Sequence, residues 1–176
     1  MGRAYLLTGR PGVGKTTCLR KVLELLELPA GGFVTGEIRE QGRRVGFALV
    51  TLDGRRATLA HVKRSGGPRV GKYGVNFKSL ERVGVPAIRD AVRRERLVVI
   101  DEIGKMEMAA PAFRQAVAEA LEAPVTVLGT ILMASHSWAD RIKAHPAVQL
   151  VEITPANRNS LPRRVASALA SAGRDH

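Results

Sequence analysis

Apolar positions along the chain fall alternately into short solid runs and into stripes at helical spacing. Ala4-Tyr5-Leu6-Leu7 is a solid run of buried-strand length, and Leu19, Val22, Leu23 and Leu26 follow at three- and four-residue intervals. That stripe predicts a helix over 14–26 with one face against a sheet. Gly32–Arg39 and Arg44–Thr51 read as strands joined by Gln41-Gly42, a hairpin signal. Two shorter extended runs, 57–62 and 70–73, flank the turn-rich Ser65-Gly66-Gly67-Pro68 and complete a β-rich insertion over about 32–73. A helical pattern resumes at Phe77, breaks near Gly84 and restarts with Pro86 in its first turn, running to Glu95.

Leu97-Val98-Val99-Ile100-Asp101 is a solid run ending in an acid, which suits a parallel strand buried on both faces. Pro111–Glu122 carries Phe113, Ala116, Val117, Ala120 and Leu121 on one helical face, and Val125–Leu128 is the next strand. Ser137 is positioned to cap a helix through Ile142, with Asp140 completing a capping box. Val148–Ile153 is the last strand and Leu161–Ala172 the closing helix. Strand and helix in alternation predict a three-layer α/β fold: a mostly parallel central sheet with a β-hairpin insertion after the first helix. At 176 residues the chain fits one domain.

Composition narrows the setting. No run approaches the roughly 18 to 20 apolar residues of a membrane span, and the chain reaches its first glycine-rich turn too early to hold a secretory signal. The expectation is a cytoplasmic protein with no membrane partner. A lone cysteine, Cys18, permits no internal disulfide and reads as a small buried residue. The formal charge of +12 is uneven: Phe33 to Arg96 holds 15 Lys plus Arg against 6 Asp plus Glu. This basic segment reads first as a solvated, arginine-rich face that also draws polyanionic nucleotides, with a nucleic-acid surface as the alternative. Aromatic residues make up only 4% of the chain, so base-stacking platforms are scarce.

The chemistry concentrates at Gly9-Arg10-Pro11-Gly12-Val13-Gly14-Lys15-Thr16, which satisfies G-x-x-x-x-G-K-[ST] at every fixed position. A strand before it and a helix after it are the context the motif requires. Glycines let successive N–H groups turn toward phosphate, Lys15 reaches the β and γ phosphates, Thr16 offers a hydroxyl to Mg²⁺, and Thr17 continues the helix start. The partner so implied is a nucleoside triphosphate. Asp101, at a strand's C-terminal end, is the natural second partner for Mg²⁺. Glu102 beside it is suited to orient or deprotonate water.

Other candidates stay open on spacing alone. Lys105, in Ile103-Gly104-Lys105-Met106-Glu107, sits on a loop that could fold over the triphosphate and lend it positive charge, or it is a surface lysine. Thr130 either reaches toward metal and γ-phosphate or simply finishes its strand. His136 has no second His or Cys at metal-ligand spacing, so no zinc site is indicated, and Trp138 reads as core or helix-start packing rather than a base platform. Arg158, in Asn157-Arg158-Asn159, could lay its guanidinium on a base, while the asparagines equally suit a capping turn. The phosphate loop also serves small kinases, whose lid arginines would lie elsewhere than Arg93, Arg94 and Arg96, and a nucleic-acid-stimulated ATPase is the further alternative.

On the phosphate loop, Gly32-Phe33-Val34-Thr35 with Glu37 and Arg39, Arg69-Val70-Gly71-Lys72-Tyr73, Asp101–Glu107 and Asn157-Arg158, the chain resembles the THEP-type nucleoside-triphosphatase family. The resemblance spans nearly the whole chain. It implies a RecA-like sheet and Mg²⁺-dependent hydrolysis of nucleoside 5′-triphosphates, ATP, GTP, CTP and UTP alike, to diphosphate and phosphate. By position it implies phosphate and metal roles for Lys15 and Thr16, a metal role for Asp101, water activation by Glu102 and a charge-stabilising role for Lys105. Asn159 departs from the family, where aspartate is frequent.

Overall fold

The computed structural model describes residues 2–95 and 97–172; Arg96, counted above in the basic segment and among the lid arginines, lies outside them. Among the described residues nine strands form one sheet: β1 (Ala4–Thr8), β2 (Ala30–Glu40), β3 (Arg43–Thr51), β4 (Arg56–His61), β5 (Arg69–Val70), β6 (Tyr73–Val75), β7 (Leu97–Ile103), β8 (Thr126–Ile131) and β9 (Val148–Glu152). Their order is β5-β6-β4-β3-β2-β7-β8-β1-β9. The five strands β2, β7, β8, β1 and β9 run parallel, and the hairpin strands continue the same sheet in antiparallel pairs.

Helices α1 (Lys15–Leu25) and α7 (Leu161–Ala172) cover one face; α3 (Val85–Arg94), α5 (Pro111–Glu122) and α6 (Ser137–Lys143) cover the other. Two short helices, α2 (Phe77–Ser79) and α4 (Lys105–Met108), complete the set. Because successive strand side chains point to opposite faces, solid apolar runs feed both layers. Leu6, Val98, Ile100 and Val127 pack toward α3 and α5, while Tyr5, Leu7, Leu97, Val99 and Leu128 pack toward α1 and α7. Cys18 is buried in the second layer, 2% exposed, and burial pushes its thiol up from the usual range.

Four local readings change. The extended run 70–73 is a miniature hairpin, β5 and β6, because Gly71 takes φ +57° and turns the chain back. The helix after Phe77 does not break: a π-helical turn, Leu80–Gly84, carries it into α3. Widening the coil there accommodates Pro86, which has no N–H to donate and whose ring would strike the carbonyl four residues back. The cap of α6 is His136 rather than Ser137, its Nδ1 accepting from Trp138 N at 3.3 Å while Asp140 Oδ2 accepts from His136 N at 3.1 Å. β8 runs on to Ile131, so Thr130 lies inside a strand.

Strand β2 changes partners midway. Ala30–Phe33 pairs in parallel with β7, and Phe33–Glu40 pairs antiparallel with β3. Gly32 stands at this junction with φ +104°, and a Cβ there would fall 2.1 Å from the carbonyl oxygen of Val99. Gly32→Ala should therefore destabilise the fold by about 3 kcal/mol or more. Urea unfolding measures this, and a loss below about 1 kcal/mol would show that β2 can shift without disturbing β7.

Candidate functional site

The C-terminal edge of the parallel strands gathers the sequence motifs. β1 ends at Thr8 and the loop Gly9–Gly14 turns into α1, with Val13 N donating to Arg10 O at 3.1 Å and Cys18 N to Gly14 O at 2.9 Å. Gly12 and Gly14 take φ +79° and +106°, conformations that L side chains rarely adopt, and open space lies where their Cβ atoms would stand. Gly9 and Val13 are buried; Arg10, Pro11, Gly12 and Thr17 are exposed; Gly14, Lys15 and Thr16 are half-buried. Lys15 Nζ crosses the loop to donate to Gly9 O at 3.1 Å.

Asp101 is the centre of the arrangement. It is fully buried, and three threonines from three elements converge on it. Thr130 of β8 donates to Oδ1 at 2.6 Å, Thr16 of α1 to the same oxygen at 3.2 Å, and Thr35 of β2 approaches Oδ2 with its N–H and hydroxyl at 3.4 and 3.5 Å. Burial pushes the carboxyl above its usual range, while the bonds from Thr130, Thr16 and Thr35 and the nearby charge of Arg20 draw it back. Arg20 is held there by a 3.2 Å bond to Thr35 O.

Glu102 reaches the same side of the sheet through a bulge. Ile100 pairs with Gly129 and Ile103 with Ile131, so Asp101 and Glu102 together oppose Thr130 alone. Ile100 and Ile103 then both enter the α3–α5 core, three residues apart. Strict alternation would have sent Asp101 and Glu102 to opposite faces. The peptide bond between them is cis. Burial raises the Glu102 carboxyl first, with the Asp101 charge adding and the Lys15 charge opposing.

The segment beyond is not an open loop. Residues Lys105–Met108 form α4, which leaves Lys105 exposed and buries Glu107 to 5% exposure. A Cβ on Gly104 would lie 2.6 Å from Glu102 Oε1 and 3.0 Å from Glu107 Oε2, so the backbone threads between two carboxylates where only hydrogen fits. Burial pushes Glu107 to about 8, the charges of Glu102 and Asp101 adding to it and the N–H groups of Glu107 and Gly104 opposing.

Arg158 is exposed in the turn after β9, and this turn begins beside the phosphate loop, since Ile153 N donates to Thr8 O at 2.7 Å. Asn157 builds the turn, accepting from Thr154 N at 2.9 Å and donating to Glu152 O at 2.9 Å. Trp138 packs half-buried against the α3–α5 core. Sequence reasoning gave no role to Thr35 and Glu107 and left Thr130 undecided. For Thr130 the available signal was a threonine near the end of the strand next to the Asp101 strand; Thr35, midway along β2, offered only its place in the Gly32–Thr35 stretch.

The oxygen ligands suit Mg²⁺. Thr16 and Asp101 offer a hydroxyl and a carboxylate 3.2 Å apart, hard donors of the kind this ion takes. Among the described residues no three His, Cys, Asp or Glu side chains converge as a cage. No helix among the described residues is long and apolar enough to cross a membrane.

A three-layer α/β fold whose five parallel strands carry a glycine-rich loop at their C-terminal edge, opposite a buried acid near the end of β7, defines the class of phosphate-loop nucleotide-binding proteins. Within that class the family model described as NTPase matches residues 4–166, and the chain belongs to this family. It is 45% identical over 160 residues to nucleoside-triphosphatase THEP1 of Thermotoga petrophila, covering 91% of this chain and 89% of that one. The human cancer-related nucleoside-triphosphatase is 41% identical over 177 residues, covering 92% and 93%. The crystal structure of THEP1 from Aquifex aeolicus superposes with a TM-score of 0.84 at 34% identity, covering 94% of this chain and 98% of that one.

Glu107 generates a stability prediction. A carboxyl whose folded pKa is raised contributes stability that is full below its unfolded value and is lost as pH rises through the folded value, about 8. Glu107→Gln removes the charge that must be buried at alkaline pH. Its Tm should exceed that of the parent at about pH 9, by the equivalent of roughly 1–3 kcal/mol, with the advantage vanishing near pH 5. Equal Tm differences at both pH values would show that Glu107 does not carry this linkage.

Proposed function

We propose that the protein hydrolyses nucleoside 5′-triphosphates to diphosphate and phosphate with little selection of the base. The observation that carries this reading is the convergence of the phosphate loop, through Thr16, on Asp101 at 3.2 Å with the Glu102 carboxylate next in the chain. Backbone N–H groups of Gly12–Thr16 cradle the phosphates, and Lys15 neutralises charge on the β and γ groups. Mg²⁺, held by Thr16 and through Asp101, would supply electrostatic stabilisation of the phosphates. Thr35 and Thr130 keep the Asp101 carboxylate aimed, so its geometry is fixed before substrate arrives.

Glu102 orients a water for in-line attack and accepts its proton. A base raised above the usual carboxylate range is better matched to this transfer near neutral pH than an exposed glutamate. Lys105, exposed at the start of α4, adds positive charge to the γ-phosphate when substrate is bound. Arg158 offers a planar guanidinium to whichever base is present, and a contact of that kind is tolerant of base identity. The family names support the same reaction, since the relatives in Thermotoga petrophila and human are both named nucleoside-triphosphatases.

Phosphate release from ATP, GTP, CTP and UTP with Mg²⁺, and without any acceptor, tests the reading. Release should occur from all four and disappear in Lys15→Ala. Glu102→Gln should lower kcat by about 10²- to 10⁴-fold while leaving nucleotide affinity within about threefold. As pH falls through the raised Glu102 pKa the base becomes protonated, so the acid limb of kcat/KM should lie above the ordinary carboxylate range and be absent from residual Glu102→Gln activity. Binding without release, or full turnover in Glu102→Gln, would overturn the assignment.

A further inference from the structure

A groove of about 450 Å³ opens beside α2 and the π-helical turn, lined by Arg64, Asn76, Lys78, Ser79, Arg82 and Val83. It shares no residue with the phosphate loop, and Leu80 beneath it packs in the α3–α5 layer while α1 packs in the other. Arg64, Lys78 and Arg82 are exposed and form no ion pair with any described carboxylate. Some cations of the same segment are paired, Arg39 and Arg44 with Glu37, Arg55 with Asp53, Lys63 with Glu40 and Arg89 with Glu119, whereas Arg69 beside the groove donates only to the carbonyls of Arg64 and Lys72. Glu81, exposed between Lys78 and Arg82 in the chain, lies outside the groove lining and pairs with neither, so three like charges line one concavity and favour an anion from outside.

The surroundings identify its chemistry. The segment from Phe33 to Arg96 holds 12 Arg and 3 Lys, and the planar guanidinium fork matches phosphate oxygens bidentately. The aromatic rings nearby are already engaged. Tyr73 is buried, lies edge-on to Phe47 at 5.1 Å and accepts from Arg44 Nε at 3.0 Å. Phe77, next to the groove, packs against the core, so among the described residues the groove lining is cationic and polar rather than aromatic, which favours backbone contact over base contact. None of the exposed large apolar side chains, Leu25, Leu52, Met133 and Leu150, lines the groove, so a membrane surface has nothing there to insert.

We propose that this groove and the arginine-rich face around it hold the phosphodiester backbone of a nucleic-acid duplex, at a site separate from the phosphate loop. The inference does not depend on the triphosphatase reading. Its base is Arg64, whose backbone oxygen is fixed by Arg69 Nη1 at 3.0 Å, set against Lys78 and Arg82 four residues apart across the groove.

The test is fluorescence anisotropy with a labelled RNA duplex of about 20 base pairs and the DNA duplex of the same sequence, without nucleotide, over about 50 to 300 mM KCl. The parent should bind, with affinity falling steeply as salt rises. The triple variant Arg64→Gln, Lys78→Gln, Arg82→Gln should lose at least about tenfold in affinity, and its salt slope should shrink by about two to three, for the roughly three phosphates no longer neutralised. Lys78→Glu alone, an exposed single change, should weaken binding too and guards against misfolding of the triple variant. Lys15→Ala should bind the duplex as the parent does. Binding of one duplex or both supports the proposal and tells whether the 2′-hydroxyl contributes. No binding at about 50 mM KCl, unchanged affinity and slope in the variants, loss of binding in Lys15→Ala, or displacement by polyglutamate at equal charge would each overturn it. Because the assay needs no turnover, a chain without triphosphatase activity still gives a clear answer.

Discussion

A buried carboxylate holds this architecture to its purpose. Asp101 has no contact with bulk water, and its charge is tolerable only because Thr16, Thr35 and Thr130 supply hydroxyl and amide donors from α1, β2 and β8. Those three elements are thereby registered against β7 to within hydrogen-bond tolerance. The same contacts that satisfy the acid fix the distance between the phosphate loop and the strand end. Local polar need and site geometry are one constraint.

The fold was legible because its signals are strong and local. Solid apolar runs gave β1 and β7, a helical stripe gave α5 at its observed bounds, and the glycine-rich octapeptide announced the strand-loop-helix junction. The miniature β5–β6 hairpin, the π turn and the His136 cap were not, since each depends on a neighbour that only the folded chain supplies. The site was half legible. Lys15, Thr16, Asp101 and Glu102 stand out by type and order, but nothing in the order of residues says that two consecutive acids share one side of a strand. That needs the bulge against Thr130, a relation between strands. Thr35 and Glu107 lie in stretches that carry the family resemblance, but their type and order suggest no chemical role, and their importance is a matter of what lies next to them in space.

Strand β2 ties the two halves of the sheet into one body. Its first residues belong to the parallel array that carries the site, and its later ones to the antiparallel extension that carries the basic face. α4, whose burial of Glu107 shapes the ground around Glu102, also packs against β5 at the far end of that extension. The basic region is therefore in contact with the acidic one along β2 and across α4.

Cys18 gives this arrangement an internal clock. It is the one thiol in the chain, and it is sealed between α1 and the sheet with its proton held by burial. A thiol reagent can reach it only when the layer formed by α1 and α7 opens, so the rate of its modification rises with the population of that opened form. Any ligand that fastens Lys15 and Thr16 slows the count. Opening of the layer that holds the phosphate-loop helix can thus be followed in the natural sequence, with no residue replaced.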